Sequence, residues 1–185
     1  MLKRAECSLR PVESGDLEKI LEWRNSERIS ANMYGDHAIT LEEHRAWFEK
    51  SRLQAGSLYL VFELQNRPVG LVYFTDIDKV NGRSYWGFYL GEADLPRGSG
   101  TALGVLGLGY AFTRLNIRKL CGEAFAFNEA SIRFHKKFGF AEEGRFVRHV
   151  LKRGVYEDVV SFALFQDDWH NKRQALDDRA FCPAE

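Results

Sequence analysis

Little in this sequence would let it be held together by covalent or metal cross-links. Its 185 residues include three cysteines, Cys7, Cys121 and Cys182. They are odd in number, widely spaced and not grouped with histidines, which argues against a disulfide scaffold and fits a reducing compartment. The five histidines, His37, His44, His135, His149 and His170, lack a ligand spacing such as His-Glu-x-x-His, so no metal is expected. An excess of one charge is also missing. Lys plus Arg number 26 and Asp plus Glu number 26, which leaves no overall field to attract nucleic acid or an anionic membrane. No apolar run reaches the roughly 18 residues that span a bilayer, and the polar start MLKRAECSLR has no apolar signal segment behind it. A cytoplasmic protein without nucleic-acid or membrane partners is the expectation.

What is present is apolar content of 45% over a length suited to one compact domain. In DLEKILEWR, Leu17, Ile20, Leu21 and Arg24 recur at helical spacing, with Ser14 or Asp16 as cap. Thr40 and Glu43 form a capping-box pattern ahead of a second helix through Glu42, His44, Trp47 and Phe48. The intervening RNSERISANMYGDHAI is too polar for a core and too rich in specific side chains for a plain linker. Three strand-like runs follow, SLYLVFEL, PVGLVYFTDI and RSYWGFYLG, with turns at Gln65 to Arg67 and at Asn81-Gly82, where both residues accept positive φ. A helix over Gly100 to Leu115, a strand KLCGEAFAF, a helix over Glu129 to Phe138 and two strands turning at Lys152 to Gly154 complete the order. The spacing predicts one α/β domain over residues 1–168, with a mixed, mostly antiparallel central sheet flanked by helices. Residues 169–185 read as a polar tail or short helix, in which Trp169 either pins the tail or closes an oligomer interface.

The stretch PRGSGTALGVLGLGYAF places glycines both before and inside an apolar helix. At Gly98 and Gly100 they leave loop and first-turn amides free to point outward together, a nest for phosphate, with Arg97 at its rim. The same glycines could simply turn the chain, and Gly104, Gly107 and Gly109 could let the helix lie close to the sheet. Each costs about 1 kcal/mol against alanine, so some compensation is expected.

Arg97-x-x-Gly100-x-Ala102 resembles the acetyl-CoA pyrophosphate loop of the GCN5-related N-acetyltransferases (GNAT). Asn128-Glu-Ala-Ser131-Ile-Arg-Phe-His135-Lys-Lys-Phe-Gly139-Phe140 is similar to the late strand-helix segment of that family. The resemblance implies a GNAT fold with splayed strands and acetyl-CoA as cosubstrate. It places Leu90, Arg97, Gly98, Ser99, Gly100, Thr101, Ala102, Asn128, Ser131 and Lys137 against that molecule. Lys136 and Lys137 read equally as a solvated helix face. Within the superfamily, Trp23 to Glu49 resembles the N-acetyltransferases of pseudaminic acid biosynthesis, also called flagellin-modification acetyltransferases. That likeness implies acetylation of the C4 amine of UDP-4-amino-4,6-dideoxy-N-acetyl-β-L-altrosamine. Ribosomal-protein acetyltransferases share the Trp-Arg-Asn opening, and a silent acyl-CoA-binding module would keep the same loop.

An ammonium cannot attack a thioester, so a base must take its proton. Glu123, in an apolar strand, is the first candidate, and a salt bridge to Arg118 or Lys119 is the structural alternative. His135 stands where the family usually has a tyrosine that protonates the leaving thiolate. Imidazole can move that proton near neutral pH, or His135 is a core-edge residue. For the acceptor, Arg24, Asn25, Arg28, Asn32, Met33, Tyr34 and His37 supply a cation for a diphosphate, donors for hydroxyls and an apolar surface for uracil. Tyr73 and Trp86, with Phe74, Tyr85, Phe88 and Tyr89, either line that pocket or belong to the core. A homodimer is compatible with this reading.

Overall fold

The structure, a computed structural model, describes residues 2–53 and 55–181, so Cys182 lies outside the described residues. Strand β1 (Cys7–Pro11) leads into helices α1 (Leu17–Asn25), α2 (Glu27–Ser30) and α3 (Leu41–Leu53). The meander β2 (Leu58–Leu64), β3 (Arg67–Asp78) and β4 (Arg83–Leu90) follows, then α4 (Ser99–Gly109) with a π-helical turn over Tyr110–Arg114. Strand β5 (Lys119–Phe125), α5 (Glu129–Phe138), the hairpin β6 (Ala141–Lys152) and β7 (Val155–Phe165), and α6 (Gln166–Ala180) complete the chain. The strands form one sheet in the order β1-β2-β3-β4-β5-β7-β6, in which β4–β5 is parallel and the other pairings are antiparallel. The α4 crossover supplies that parallel connection, as the sequence pattern requires.

Period-two alternation sends each strand's side chains to opposite faces. Tyr59, Leu71, Tyr73 and Tyr89 lie on the face covered by Ile20 and Trp23 of α1 and Ile29 of α2. Val72, Phe74 and Trp86 point the other way, into a larger core with Leu103 and Leu108 of α4 and Phe138 of α5. Phe74 is therefore core and not pocket. Trp169, Leu176 and Ala180 of α6 join the same core, with the Trp169 ring 5.2 Å from that of Phe112. Residues 166–180 thus form a helix docked by a few apolar anchors, the helical one of the two alternatives read from the sequence.

Two details differ from the sequence expectation. Only Gly82 at the Asn81-Gly82 turn has positive φ (62°), and the loop runs over residues 79–82 because the Asp78 carboxylate accepts from the amides of Val80 and Asn81. The two-residue turns with both φ positive are Gln65-Asn66 (53° and 62°) and Arg153-Gly154 (50° and 82°). Inside α4, a side chain at Gly104 would place its Cβ 2.4 Å from the Phe138 ring, and one at Gly107 would come within 3.2 Å of Val72. Nothing lies within 4 Å of the same position at Gly109, so close packing explains only two of these glycines.

Candidate acetyl-transfer site

Strands β4 and β5 pair only through Arg83–Tyr85 and Lys119–Cys121. Past Tyr85, β4 stays with β3 and β5 stays with β7, so the two diverge and leave a gap through the sheet. The gap holds a cavity of about 320 Å³. Leu90, Gly100, Asn128, Ser131, Trp86 and His135, all singled out from sequence, line it.

At one end of this cavity the chain enters α4. Gly98 sits at φ 103°, a left-handed conformation that favours glycine. Ser99 N donates to Pro96 O and Ala102 N to Gly98 O, while the amides of Gly100 and Thr101 meet no acceptor among the described residues. These two free donors at a helix N-terminus suit a phosphate. A Cβ at Gly100 would meet only Leu90 Cδ1, at 3.8 Å, so the approach is open. Lys137 Nζ donates to Thr101 Oγ1 at 2.6 Å, which puts an ammonium beside the free amides. Burial and the nearby Arg179 lower its pKa. Arg97 is exposed at the rim. Ser99 and Ala102 are buried, and the Ser99 hydroxyl is spent on Pro96 O. Asn128 Oδ1 accepts from Ser131 N, capping α5.

On the α1–α3 face the gap opens into a second cavity, of about 510 Å³, lined by Arg24, Asn32, Met33, Tyr34, Tyr73 and Glu123 together with Asp76 and Tyr85. Glu123 lies on this face because its strand register matches that of Tyr85. It is half-buried and makes no ion pair with Arg118 or Lys119; Lys119 pairs with Glu143 instead. The Tyr34 hydroxyl donates to Glu123 Oε2 at 2.5 Å. Burial, then this hydrogen bond and the Glu123 charge, raise the tyrosine pKa. Arg24 is half-buried and forms no ion pair or hydrogen bond among the described residues. It also lines a third cavity of about 380 Å³ with His37, sharing Tyr73 as a common wall.

Several expected residues have other duties. Arg28, one of the two arginines expected to offer a cation to a diphosphate, donates to the carbonyls of Leu90 and Gly91 at 2.9 and 2.6 Å, tying α2 to the end of β4. Asn25 exchanges two hydrogen bonds with the Ile39 backbone and lines none of the three cavities. Asn32 donates to Arg28 O.

His135 is 2% exposed, stacked on Phe162 with centroids 4.8 Å apart, and lies on the opposite face from Glu123. Its Nδ1 is 2.8 Å from Ser131 O, a pure acceptor, so that nitrogen carries the proton. Burial pushes its pKa down to about 4. A neutral imidazole held this way has no spare proton for a departing thiolate near neutral pH, because burial disfavours the cation.

Two contributors were not foreseen. Asp76 sits at φ 49° in a bulge of β3, in reach of the Glu123 cavity, and its carboxylate makes no hydrogen bond among the described residues. A carboxylate interrupting an aromatic strand was the available signal. Lys152, 5% exposed, donates to the carbonyls of Ser30 and Gly35 and pairs with Asp36 at 2.6 Å. It fastens the loop that carries Tyr34, and nothing in a lysine at a hairpin turn announces that.

The family model for an acetyltransferase (GNAT) domain matches residues 7–141. The SPbeta prophage-derived uncharacterized N-acetyltransferase YokL of Bacillus subtilis is 29% identical over 127 residues, 68% of this chain and 71% of its own length. The spermidine N(1)-acetyltransferase of Vibrio cholerae is 23% identical over 171 residues, 92% of this chain and 99% of its own. The structure of the Vibrio cholerae spermidine N-acetyltransferase with CoA and spermine superposes with a TM-score of 0.84, 23% identity, and coverage of 90% of this chain and 99% of that one. The same Vibrio enzyme has a dodecameric structure, with a TM-score of 0.78, 24% identity, and coverage of 91% and 98%.

Proposed function

The chain belongs to the GNAT family of acetyltransferases, and we propose that it moves the acetyl group of acetyl-CoA onto the C4 amine of UDP-4-amino-4,6-dideoxy-N-acetyl-β-L-altrosamine or a close nucleotide-linked amino sugar. The observation that carries this choice of acceptor is Arg24. It is a half-buried cation without a carboxylate partner among the described residues, at the junction of the two acceptor-side cavities. An unpaired cation held out of bulk water attracts an anionic group, and a diphosphate is the anion a nucleotide sugar brings. The likeness of Trp23 to Glu49 to the pseudaminic acid enzymes supports the same reading.

In this reading the cosubstrate's pyrophosphate rests on the amides of Gly100 and Thr101 beside Lys137 and Arg97. Its thioester lies in the gap between β4 and β5. The acceptor amine enters from the α1–α3 face and meets Glu123, which takes its proton at roughly 2.6 to 3.2 Å. The Tyr34 hydroxyl, now bonded to that carboxylate, keeps the side chain aimed into the gap. The amine nitrogen bonds to the acetyl carbon, the carbon–sulfur bond breaks, and the second proton of the amine passes through water to the departing thiolate, an ordinary thiol's conjugate base. Placing both reactants in one gap supplies much of the rate.

A polyamine acceptor is the second reading. The Vibrio relative is a spermidine acetyltransferase, and Asp76 and Glu123 put two carboxylates in one cavity. Against it, a polycation reaching past Glu123 toward the third cavity would pass Arg24. Thiol release from acetyl-CoA, measured with the UDP-amino sugar, spermidine and a short peptide amine, tests the choice. The sugar is expected to show the highest kcat/KM by about 100-fold, a gap of about 2.7 kcal/mol. A preference for spermidine or for the peptide overturns the sugar reading and leaves the acetyltransferase assignment standing.

A further inference from the structure

The third cavity, between α3 and the sheet, has a composition that the acetyl transfer itself does not use. Its walls are the half-buried rings of Trp47, Tyr59 and Tyr73. Trp47 meets Tyr59 edge-on at 4.7 Å, Tyr59 stacks on Tyr73 at 5.6 Å, and His44 stacks on one face of Trp47 at 4.9 Å, so part of the aromatic surface is already covered. Two polar atoms of its lining, His44 Nε2 and the Tyr89 hydroxyl, are buried without a hydrogen-bond partner among the described residues. The two residues are 4% and 9% exposed. Buried polar atoms are nearly always satisfied, so an orphaned pair beside a cavity of about 380 Å³ points to something that belongs there.

The lining also says what that something is. Its charges are Arg24, His37, His44 and one carboxylate, Glu43. Glu43 Oε2 accepts from the Thr40 amide and hydroxyl, and its Oε1 lies 3.6 Å from His37 Nε2. Burial, and then the Arg24 charge, lower the pKa of His44, against a backbone contact with Leu17 that raises it. A cationic ligand would therefore share the single Glu43 carboxylate with His37 and would lie beside the Arg24 guanidinium. An aliphatic group would leave His44 and Tyr89 unpaired. A flat, uncharged ring with donors and acceptors on its edge satisfies both the aromatic walls and the orphaned atoms.

We infer that this cavity is a subsite for the pyrimidine base of a nucleotide, with Trp47 and Tyr59 in its aromatic wall and Arg24 at its mouth meeting the phosphate beyond the ribose. The inference rests on the nucleotide-sugar reading and adds to it the place and the residues by which the nucleotide is told from any other anionic group on an acceptor.

Binding needs no turnover and so tests the subsite separately. In calorimetry, UMP is expected to bind wild type, ribose 5-phosphate at least tenfold more weakly, and spermidine not in competition with UMP. Trp47→Phe is expected to weaken UMP severalfold, and Trp47→Ala by tenfold or more, with acetyl-CoA affinity retained as the control for folding. In turnover, the ratio of kcat/KM for the UDP-amino sugar to that for the same amino sugar 1-phosphate should fall tenfold or more in Trp47→Ala. Equal affinity for UMP and ribose 5-phosphate, or a kcat/KM ratio untouched by Trp47→Ala, overturns the subsite. If wild type acetylates neither sugar, the acceptor reading fails on its own, and the UMP calorimetry still decides whether a base binds here.

Discussion

Tyr34 and Glu123, drawn together from 89 positions apart, share a hydrogen bond of 2.5 Å at the mouth of the gap between β4 and β5. If Glu123 receives the amine proton, Glu123→Gln keeps the shape and loses the base. An expected fall in kcat of about 100-fold or more, with acetyl-CoA affinity unchanged, is read by steady-state kinetics. Tyr34→Phe keeps the carboxylate and frees it, so the loss should be smaller and fall mainly on acceptor KM. Full kcat in Glu123→Gln would hand the proton to Asp76 or water.

Lys152 reaches into the loop behind Tyr34 through the carbonyls of Ser30 and Gly35 and the Asp36 carboxylate. Lys152→Met fills the same volume without the three polar contacts. Its expected signature is a rise of tenfold or so in acceptor KM, with acetyl-CoA KM unchanged, because the free amides of Gly100 and Thr101 lie at the other end of the site. A parallel rise in both constants would mark a general loss of structure instead.

His135 is held neutral, its pKa pushed down to about 4 from the usual 6.5 by burial. Above pH 6.5 the folded and unfolded chains are both neutral there, and the group has no effect. As pH falls below 6.5 the unfolded chain takes up the proton first, so stability drops until about pH 4, by up to about 3 kcal/mol. Urea midpoints of wild type and His135→Phe, compared at pH 7 and pH 4.5, check this. The variant should lose the part of the pH dependence that belongs to this ring, and identical curves would refute it.

The glycines of α4 predict opposite outcomes for one substitution. Gly104→Ala drives a methyl into the Phe134 and Phe138 rings, at 2.7 and 2.4 Å. Overpacking of this kind costs about 1 to 3 kcal/mol, more than or equal to the helix-propensity gain of about 1 kcal/mol. Gly109→Ala meets nothing within 4 Å, so the propensity gain should survive and raise Tm by a few degrees. Thermal melts of the two variants give the signs directly.

The element order was legible because each strand and helix carried its own period, and the reciprocal bonds of Thr40 and Glu43 match the pattern read from their spacing. The free amides at the start of α4 were legible too, since Gly98 and Gly100 stand where a side chain would interfere. What sequence could not supply was which face each residue meets. Glu123 and His135 each read as a candidate for moving a proton, yet strand register sends one to the α1–α3 side and α5 packs the other against Phe162. Arg28 looked free for a ligand because its two acceptors are carbonyls of Leu90 and Gly91, more than sixty positions away. Charge type is local information, but a partner across the fold is not.

Because the gap between β4 and β5 passes through the sheet, the proposed reaction gives its two reactants separate doors. One enters along α4 and α5, the other beneath α1 and α3, and neither has to leave for the other to arrive. Order of addition is then not imposed by the architecture, and the acetyl group has no need to wait on the protein between visits. Initial-velocity plots in double-reciprocal form should intersect to the left of the vertical axis, and each product should be able to diffuse out while the other is still seated.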